Sequence, residues 1–282
     1  TFNERPKTGA HVRRRGDDIA AGVQAIEAGE RLGAGHVGLL ASLGVASVQV
    51  ARRPVVAIAC LGDELREPGD ALSPGSLYES NGPMLAALVK RAGGEARLLP
   101  VLRDDAADLA GMFASTLDAC DVLVTIGGAS VGAYDFARPA LEGAGVELDF
   151  WKVDIKPGKP VAVGRRDRTV VLALPGNPAA AFVTFHLFGI PLLRTMQGDA
   201  RPTAPFVKRV LLNDWNRKSD RPELLRSRLE VTEGREGVRI HTQQSSGALT
   251  SLAWCDAFTL MPREKSHFVA GEDVDVLRLA DA

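Results

Sequence analysis

The chain has 282 residues, 45% hydrophobic and 24% charged, with 34 Lys plus Arg against 35 Asp plus Glu and a net charge of -1. This length predicts about two domains with cores of their own, and the composition excludes a small stapled scaffold and wholesale disorder. The charge balance supplies no basic field for nucleic acid or an anionic membrane, so any anionic ligand must be met by a local cluster.

In chain order, residues 1–52 read as the remnant of an N-terminal domain, with turns around Gly16, Gly22, Gly29 and Gly33 and a helix near His36 to Leu43. The chain opens on Thr1 without an apolar leader, as a fragment would. Val55 to Leu61 is a continuous apolar run ended by Gly62, the signature of a strand buried on both faces. Asn81-Gly82-Pro83 starts a helix with Leu85, Leu88, Val89 and Ala92 at helical spacing, and Gly93-Gly94 stops it. Leu98 to Leu102 reads as a strand, Asp104 to Thr116 as a helix, and Val122 to Ile126 as a further strand. Phe136 to Gly143 is helical, Leu148 to Ile155 and Val161 to Val163 are extended, and Val170 to Leu174 is apolar. Pro178 to Met196 is a long helix. The class is therefore α/β, a three-layer, mostly parallel sheet over residues 53–200. Residues 201–282 carry short strand signals at Val207 to Leu212, Leu224 to Val231, Val238 to Thr242, Ala257 to Met261 and Val274 to Leu279, a small all-β domain.

Cys60, Cys120 and Cys255 lie far apart without CxxC spacing, which fits a reducing cytoplasm better than a disulfide framework or zinc knuckle. The most apolar stretch, Ala179 to Leu193, falls short of the ~20 residues of a span, so no membrane association is expected.

Ligands of open parallel sheets bind beyond the carboxyl ends of the strands. There the sequence places Gly62-Asp63-Glu64, Arg103-Asp104-Asp105, Gly127-Gly128-Ala129-Ser130-Val131-Gly132 with Asp135, Lys156-Pro157-Gly158-Lys159-Pro160, and Pro175-Gly176-Asn177-Pro178, with Lys152 inside the strand before the lysine loop. Glycines after a buried strand expose backbone N–H groups to a phosphate, and Lys152, Lys156 and Lys159 can neutralise its charge. Acids from three strand ends beside them suit Mg2+ on a polyphosphate, because that ion prefers hard oxygen ligands. Each acid taken singly reads equally well as a cap or turn residue. No P-loop or HExxH pattern is present, and no GxGxxG follows the first strand. Gly128-Ala129-Ser130-Val131-Gly132 also matches the G-x-S-x-G of a nucleophile elbow, but that motif requires the helix to begin at the serine, and here the helical pattern waits for Asp135.

Together, Gly62-Asp63-Glu64-Leu65, the Gly127 to Gly132 loop with Asp135, Lys156-Pro157-Gly158-Lys159-Pro160 and Leu174-Pro175-Gly176-Asn177-Pro178 resemble the molybdopterin molybdenumtransferase family, MoeA and the gephyrin E domain. The resemblance implies a molybdopterin-binding α/β domain followed by a small β-barrel. It also implies an enzyme that inserts molybdate into adenylylated molybdopterin with Mg2+ and releases AMP. Glu64, Asp104 and Asp135 would serve the metal and nucleotide phosphate. Lys152 and Lys156 would act on the anionic substrate. Gly127, Gly128, Ser130, Gly132, Lys159, Pro175, Gly176, Asn177 and Pro178 would shape the cofactor cleft. Arg221-Pro222-Glu223-Leu224-Leu225-Arg226 is similar to the family's G-R-x-E-F-x-R, and Gln244-Ser245-Ser246-Gly247 to its serine-bearing turn, so Arg221 or Arg226 with Ser246 would approach molybdate. A homodimer is implied, with a molybdopterin adenylyltransferase or molybdoenzymes as further partners. Two other readings stand beside it: a gephyrin-like scaffold that keeps the fold and binds a protein through the β domain, and a molybdopterin adenylyltransferase or nucleotide pyrophosphatase using the same α/β unit, of which the appended β domain disfavours the stand-alone adenylyltransferase.

Overall fold

A computed structural model describes residues 7–102, 106–128, 137–217, 219–232 and 234–280. Residues 7–53 hold one helix, α1 (Ala34–Ser42), none of whose side chains is buried. The segment touches the rest of the chain through Ala200 N–H donating to Gly29 O at 2.9 Å, the exposed Arg201–Glu30 ion pair and, at its end, the two-pronged pair of Arg52 with Asp121.

The first apolar run forms β1 (Val55–Cys60), buried almost throughout. A short parallel ribbon follows, β2 (Leu65–Arg66) with β3 (Leu77–Tyr78), leading to α2 (Asn81–Arg91). β4 occupies Glu95–Leu98, directly after Gly93-Gly94, so the strand expected over Leu98 to Leu102 begins three residues earlier and ends where that range starts. Its alternating sequence Glu-Ala-Arg-Leu is that of a largely exposed edge strand, whereas the more apolar Leu98 to Leu102 contains Pro100, which cannot donate to a ladder. Past β4, Leu99 N–H still reaches Ile58 O at 2.9 Å, and Leu102 returns in an isolated parallel bridge to Leu61. Then come α3 (Ala106–Leu117), β5 (Val122–Ile126), α4 (Ala137–Gly143), β6 (Glu147–Trp151), β7 (Ala162–Arg166) and β8 (Thr169–Leu174).

The six strands order as β4-β1-β5-β8-β7-β6. The first four run parallel, while β7 pairs antiparallel with both β8 and β6. Two antiparallel steps return β6 to the direction of β8, so the lysine loop emerges at the same edge as the parallel strands' carboxyl ends. Lys152 follows β6 rather than lying inside it, with φ of 79° and its N–H on Val161 O at 2.8 Å. One sheet face packs Val56, Ile58 and Val124 against Leu85, Val89, Phe185 and Leu193, and the other packs Ala57, Ala59 and Leu123 against Leu109, Phe113 and Leu141. Helices thus cover both faces of the sheet.

The helical stretch Pro178–Met196 is divided into α5 (Pro178–Thr184), a π-helical turn over Phe185–Gly189 and α6 (Ile190–Met196). Pro191 explains the division: its ring cannot sit under a regular α-turn, and widening to a π turn lets Ile190 N–H reach Phe185 O. Length and composition would let such a helix cross a membrane, but 56% of its most apolar part is buried inside the protein.

The last unit contains β9 (Val207–Leu211), β10 (Trp215–Asn216), β11 (Glu223–Thr232), β12 (Arg235–Ile240), α7 (Leu249–Ala253), β13 (Ala257–Met261), β14 (His267–Phe268) and β15 (Asp273–Arg278). Five of these close a barrel in the order β11-β12-β9-β15-β13, around Leu211, Leu225, Val238, Ile240, Met261 and Val276. Leu224, Phe258, Leu277 and Leu279 on its outside pack against Val183 of α5.

Candidate functional site

Three strand-end loops meet backbone to backbone. Gly127, with φ of 87°, donates its N–H to Leu174 O at 3.2 Å, and a Cβ there would lie 2.5 Å from Leu61 O. A Cβ on Gly176 would lie 3.3 Å from Gly127 Cα. The glycines are thus set by close approach, and the backbone itself forms the floor. Gly128 O accepts from Ala137 N–H at 3.2 Å, at the start of α4. Pro175 is buried, Gly176 and Asn177 are exposed, and Pro178 opens α5.

Asn81 and Glu79, which sequence reading passed over, tie this floor to α2. Asn81 Nδ2 donates to Gly176 O at 2.8 Å, and Glu79 Oε1 accepts from Gly82 N–H at 2.9 Å. Both residues are buried, and Asn81 Oδ1 has no hydrogen-bond partner among the described residues. Burial, and then the neighbouring Glu79 carboxylate, push the Cys60 thiol up, which keeps it protonated. The acid three residues before Gly82 is a visible capping signal; the Asn81–Gly176 contact, across 95 residues, has none.

Glu64 is exposed beyond β1 and folds back over Gly62, where a Cβ would lie 2.8 Å from Glu64 Oε2. Asp104, Ser130, Gly132 and Asp135 fall outside the described residues. Among the described residues no three His, Cys, Asp or Glu cluster in a way that could hold a metal ion. Of the expected Mg2+ ligands Glu64 alone is described, and its exposed carboxylate at the strand-end face offers the hard oxygen that ion takes.

Lys152 and Lys159 are exposed. Lys159 O accepts from Val153 and Val161 N–H, closing the loop on itself, while a Cβ on Gly158 would run into Thr184 of α5. Lys156 is bound to the barrel. Its N–H reaches Pro222 O at 2.9 Å, its O receives Leu224 N–H at 2.8 Å, and its Nζ lies 2.9 Å from Glu223 Oε1. Arg221 Nη1 donates to Ile155 O at 2.8 Å, and Arg263 pairs with Asp154.

The two candidate arginines are placed differently. Arg226 is 1% exposed, and its Nη2 donates to Gln243 O and Ser245 O. Burial pulls its guanidinium below the usual arginine range. It therefore braces the turn that bears Ser246. That turn docks on the α/β unit through Ser246 O, which accepts from Ala179 N–H at 3.0 Å, while the Ser246 side chain is exposed. Arg221, a quarter exposed, is the one that a solute can reach. The barrel thus brings Arg221, Glu223 and the Ser246 turn to the lysine loop and the Pro175 to Pro178 loop. Such a face suits an anion carried on a larger group: backbone floor, cationic side and hydroxyl-bearing wall.

The family model for a probable molybdopterin binding domain matches residues 57–195, that for the MoeA C-terminal region (domain IV) matches residues 208–279, and that for the MoeA N-terminal region (domain I and II) matches residues 1–44. The molybdopterin molybdenumtransferase of Haemophilus influenzae is 32% identical over 278 residues, covering 98% of this chain and 69% of that protein. The one from a Nostoc species is 34% identical over 279 residues, 97% of this chain and 64% of that protein. The chain therefore spans about two thirds of the length of these relatives. Among solved structures, the molybdopterin biosynthesis MoeA protein of Pyrococcus horikoshii superposes with a TM-score of 0.76 at 28% identity, over 93% of this chain and 63% of that one.

Proposed function

This chain belongs to the molybdopterin molybdenumtransferase (MoeA) family, and on that premise we propose that it carries out the metal-insertion step of molybdenum cofactor biosynthesis. Adenylylated molybdopterin and molybdate are the substrates, and molybdenum cofactor and AMP the products. The observation that carries the reading is the convergence of the Gly127 and Gly176 floor, the Lys156 loop and the Ser246 turn on one face.

In this reading the floor excludes side chains from beneath the substrate, so that its phosphate meets backbone N–H groups. Lys152, Lys156 and Lys159 neutralise the substrate's negative charge, and Arg221, rather than the buried Arg226, presents a guanidinium to the oxyanion. The Ser246 hydroxyl supplies a further donor. Glu64, with Asp104 and Asp135, would hold Mg2+, which when bound neutralises the phosphate charge that builds up as AMP leaves. We further propose that the enzyme works as a homodimer in the cytoplasm, and that its units divide at residues 1–52, 53–200 and 201–282.

The test is to incubate the purified chain with adenylylated molybdopterin, molybdate and Mg2+, and to measure AMP and the reconstitution of a cofactor-free molybdoenzyme. Molybdate-dependent AMP release is expected. Pterin binding with neither AMP nor cofactor formed would overturn the assignment.

A further inference from the structure

The pair at the join between the two units is unequal. Lys156 is 43% exposed, whereas Glu223 is 3% exposed, and Glu223 Oε2 has no hydrogen-bond partner among the described residues. A buried carboxylate with one unanswered oxygen is costly to keep unless its charge has a use. The loop does not need it for placement, because Lys156 is already anchored by its own N–H and C=O to Pro222 and Leu224 in an isolated parallel bridge. What the carboxylate adds is a negative charge directly behind the ammonium.

We infer that Glu223 is a built-in counter-anion that weakens and charge-selects oxyanion binding at Lys156. It touches no substrate and acts by its charge and by its hold on the lysine. An arriving anion competes with Glu223 for the same Nζ and is repelled by the carboxylate behind it, the more so the greater its charge. The consequence is an oxyanion site that is deliberately loose, so that a metal oxyanion can be handed on to its acceptor and dianions gain little over monoanions of the same shape. This rests on the reading of Lys156 as an anion-binding residue.

The experiment is calorimetric titration of the full chain with molybdate, a tetrahedral dianion, and with perrhenate, a tetrahedral monoanion, in the parent, Glu223→Gln, Lys156→Met and the double variant. Gln keeps the shape and the acceptor while removing the charge. Glu223→Gln should tighten molybdate by about tenfold and perrhenate by about threefold, the effect of one unit charge about 6 Å away at an effective dielectric near that of water, about 80. Lys156→Met should weaken both anions, and adding Glu223→Gln to it should recover part of the loss, more for molybdate than for perrhenate, because the carboxylate still repels the anion without the lysine. If Glu223 merely positioned the lysine, Glu223→Gln would leave both affinities unchanged or lower them equally, and the inference falls while the role of Lys156 stands. If Lys156→Met changes neither affinity, the reading of Lys156 itself falls and takes the inference with it. Should Glu223→Gln fail to fold, Glu223→Asp, which withdraws the charge by one methylene, must still tighten molybdate more than perrhenate.

Discussion

The sheet and the barrel bury polar groups in opposite ways. In the sheet, β1, β5 and β8 are buried almost from end to end, and their chemistry is displaced to the loops beyond their carboxyl ends. In the barrel, β11 alone buries Glu223, Arg226 and Ser227, the last sharing a 2.7 Å hydrogen bond with Thr259. The sheet is therefore an apolar scaffold that offers a rim. The barrel strand carries its charges within the strand itself, and they face the join with the α/β unit. Coupling between the two units passes through β11 together with Phe258, Leu277, Leu279 and the Ser246 turn, and its strength is open to measurement.

The largest expected effect breaks the scaffold side. Leu123→Ala, at a fully buried position in β5, should cost about 3 to 4 kcal/mol by transfer and cavity terms, whereas Val231→Ala, at an exposed position in β11, should stay within about 0.5 kcal/mol. Chemical denaturation of the two variants measures the contrast, and equal costs would refute it. Arg226→Met tests the barrel side: the carbonyls of Gln243 and Ser245 lose a charged donor, at about 2 to 3 kcal/mol. Amide exchange over residues 243–246 should quicken, and unchanged protection would show that the brace is unnecessary.

A third effect lies between the units, where the His186 ring stacks edge-on against Phe258 of the barrel. Burial, with the Arg91 charge adding to it, pulls His186 down to about 4 against the opposing hydrogen bond to Phe182 O. A histidine held neutral in the fold charges first in the unfolded chain. Its contribution is complete above the ordinary value near 6.5 and is lost as pH falls from there toward about 4. Between pH 7 and pH 5 stability should drop by about 2 kcal/mol on this account. His186→Gln should flatten that part of the acid limb, and an identical slope in the variant would discard the explanation. The smallest effect sharpens the join: Asp154→Asn removes a half-exposed pair with Arg263 and should cost less than about 1 kcal/mol, with no change in molybdate affinity. A loss as large as that from Arg226→Met would mean that surface charge, rather than β11, holds the units together.

The same contrast decides what could be read from sequence. Continuous apolar runs at Val55 to Leu61, Val122 to Ile126 and Val170 to Leu174 gave the sheet, because strands buried on both faces leave no other pattern. The edge strand Glu95–Leu98 escaped that logic because it is polar and short, and its neighbour looked more apolar. The loops at strand ends were legible as glycine and lysine clusters. Their partners were not: Glu223 answers Lys156 from 67 residues away, and Asn81 answers Gly176 from 95. Nor does residue type separate Arg221 from Arg226, since both are arginines within one short motif; only the direction of the strand puts one at the rim and the other inside.

The approach of Leu61, Gly127 and Gly176 means that the floor of the site is assembled from three places far apart along the chain. It exists only when β1, β5 and β8 are all present and in register, since a shift of one residue in any of them moves a carbonyl or a Cα out of contact. No form in which these three strands are incompletely paired can display it, and a nascent chain acquires it only after β8 has joined the sheet. Ligand binding on this floor therefore reports that the sheet is complete, and a ligand held there withdraws material from every incompletely paired species at once.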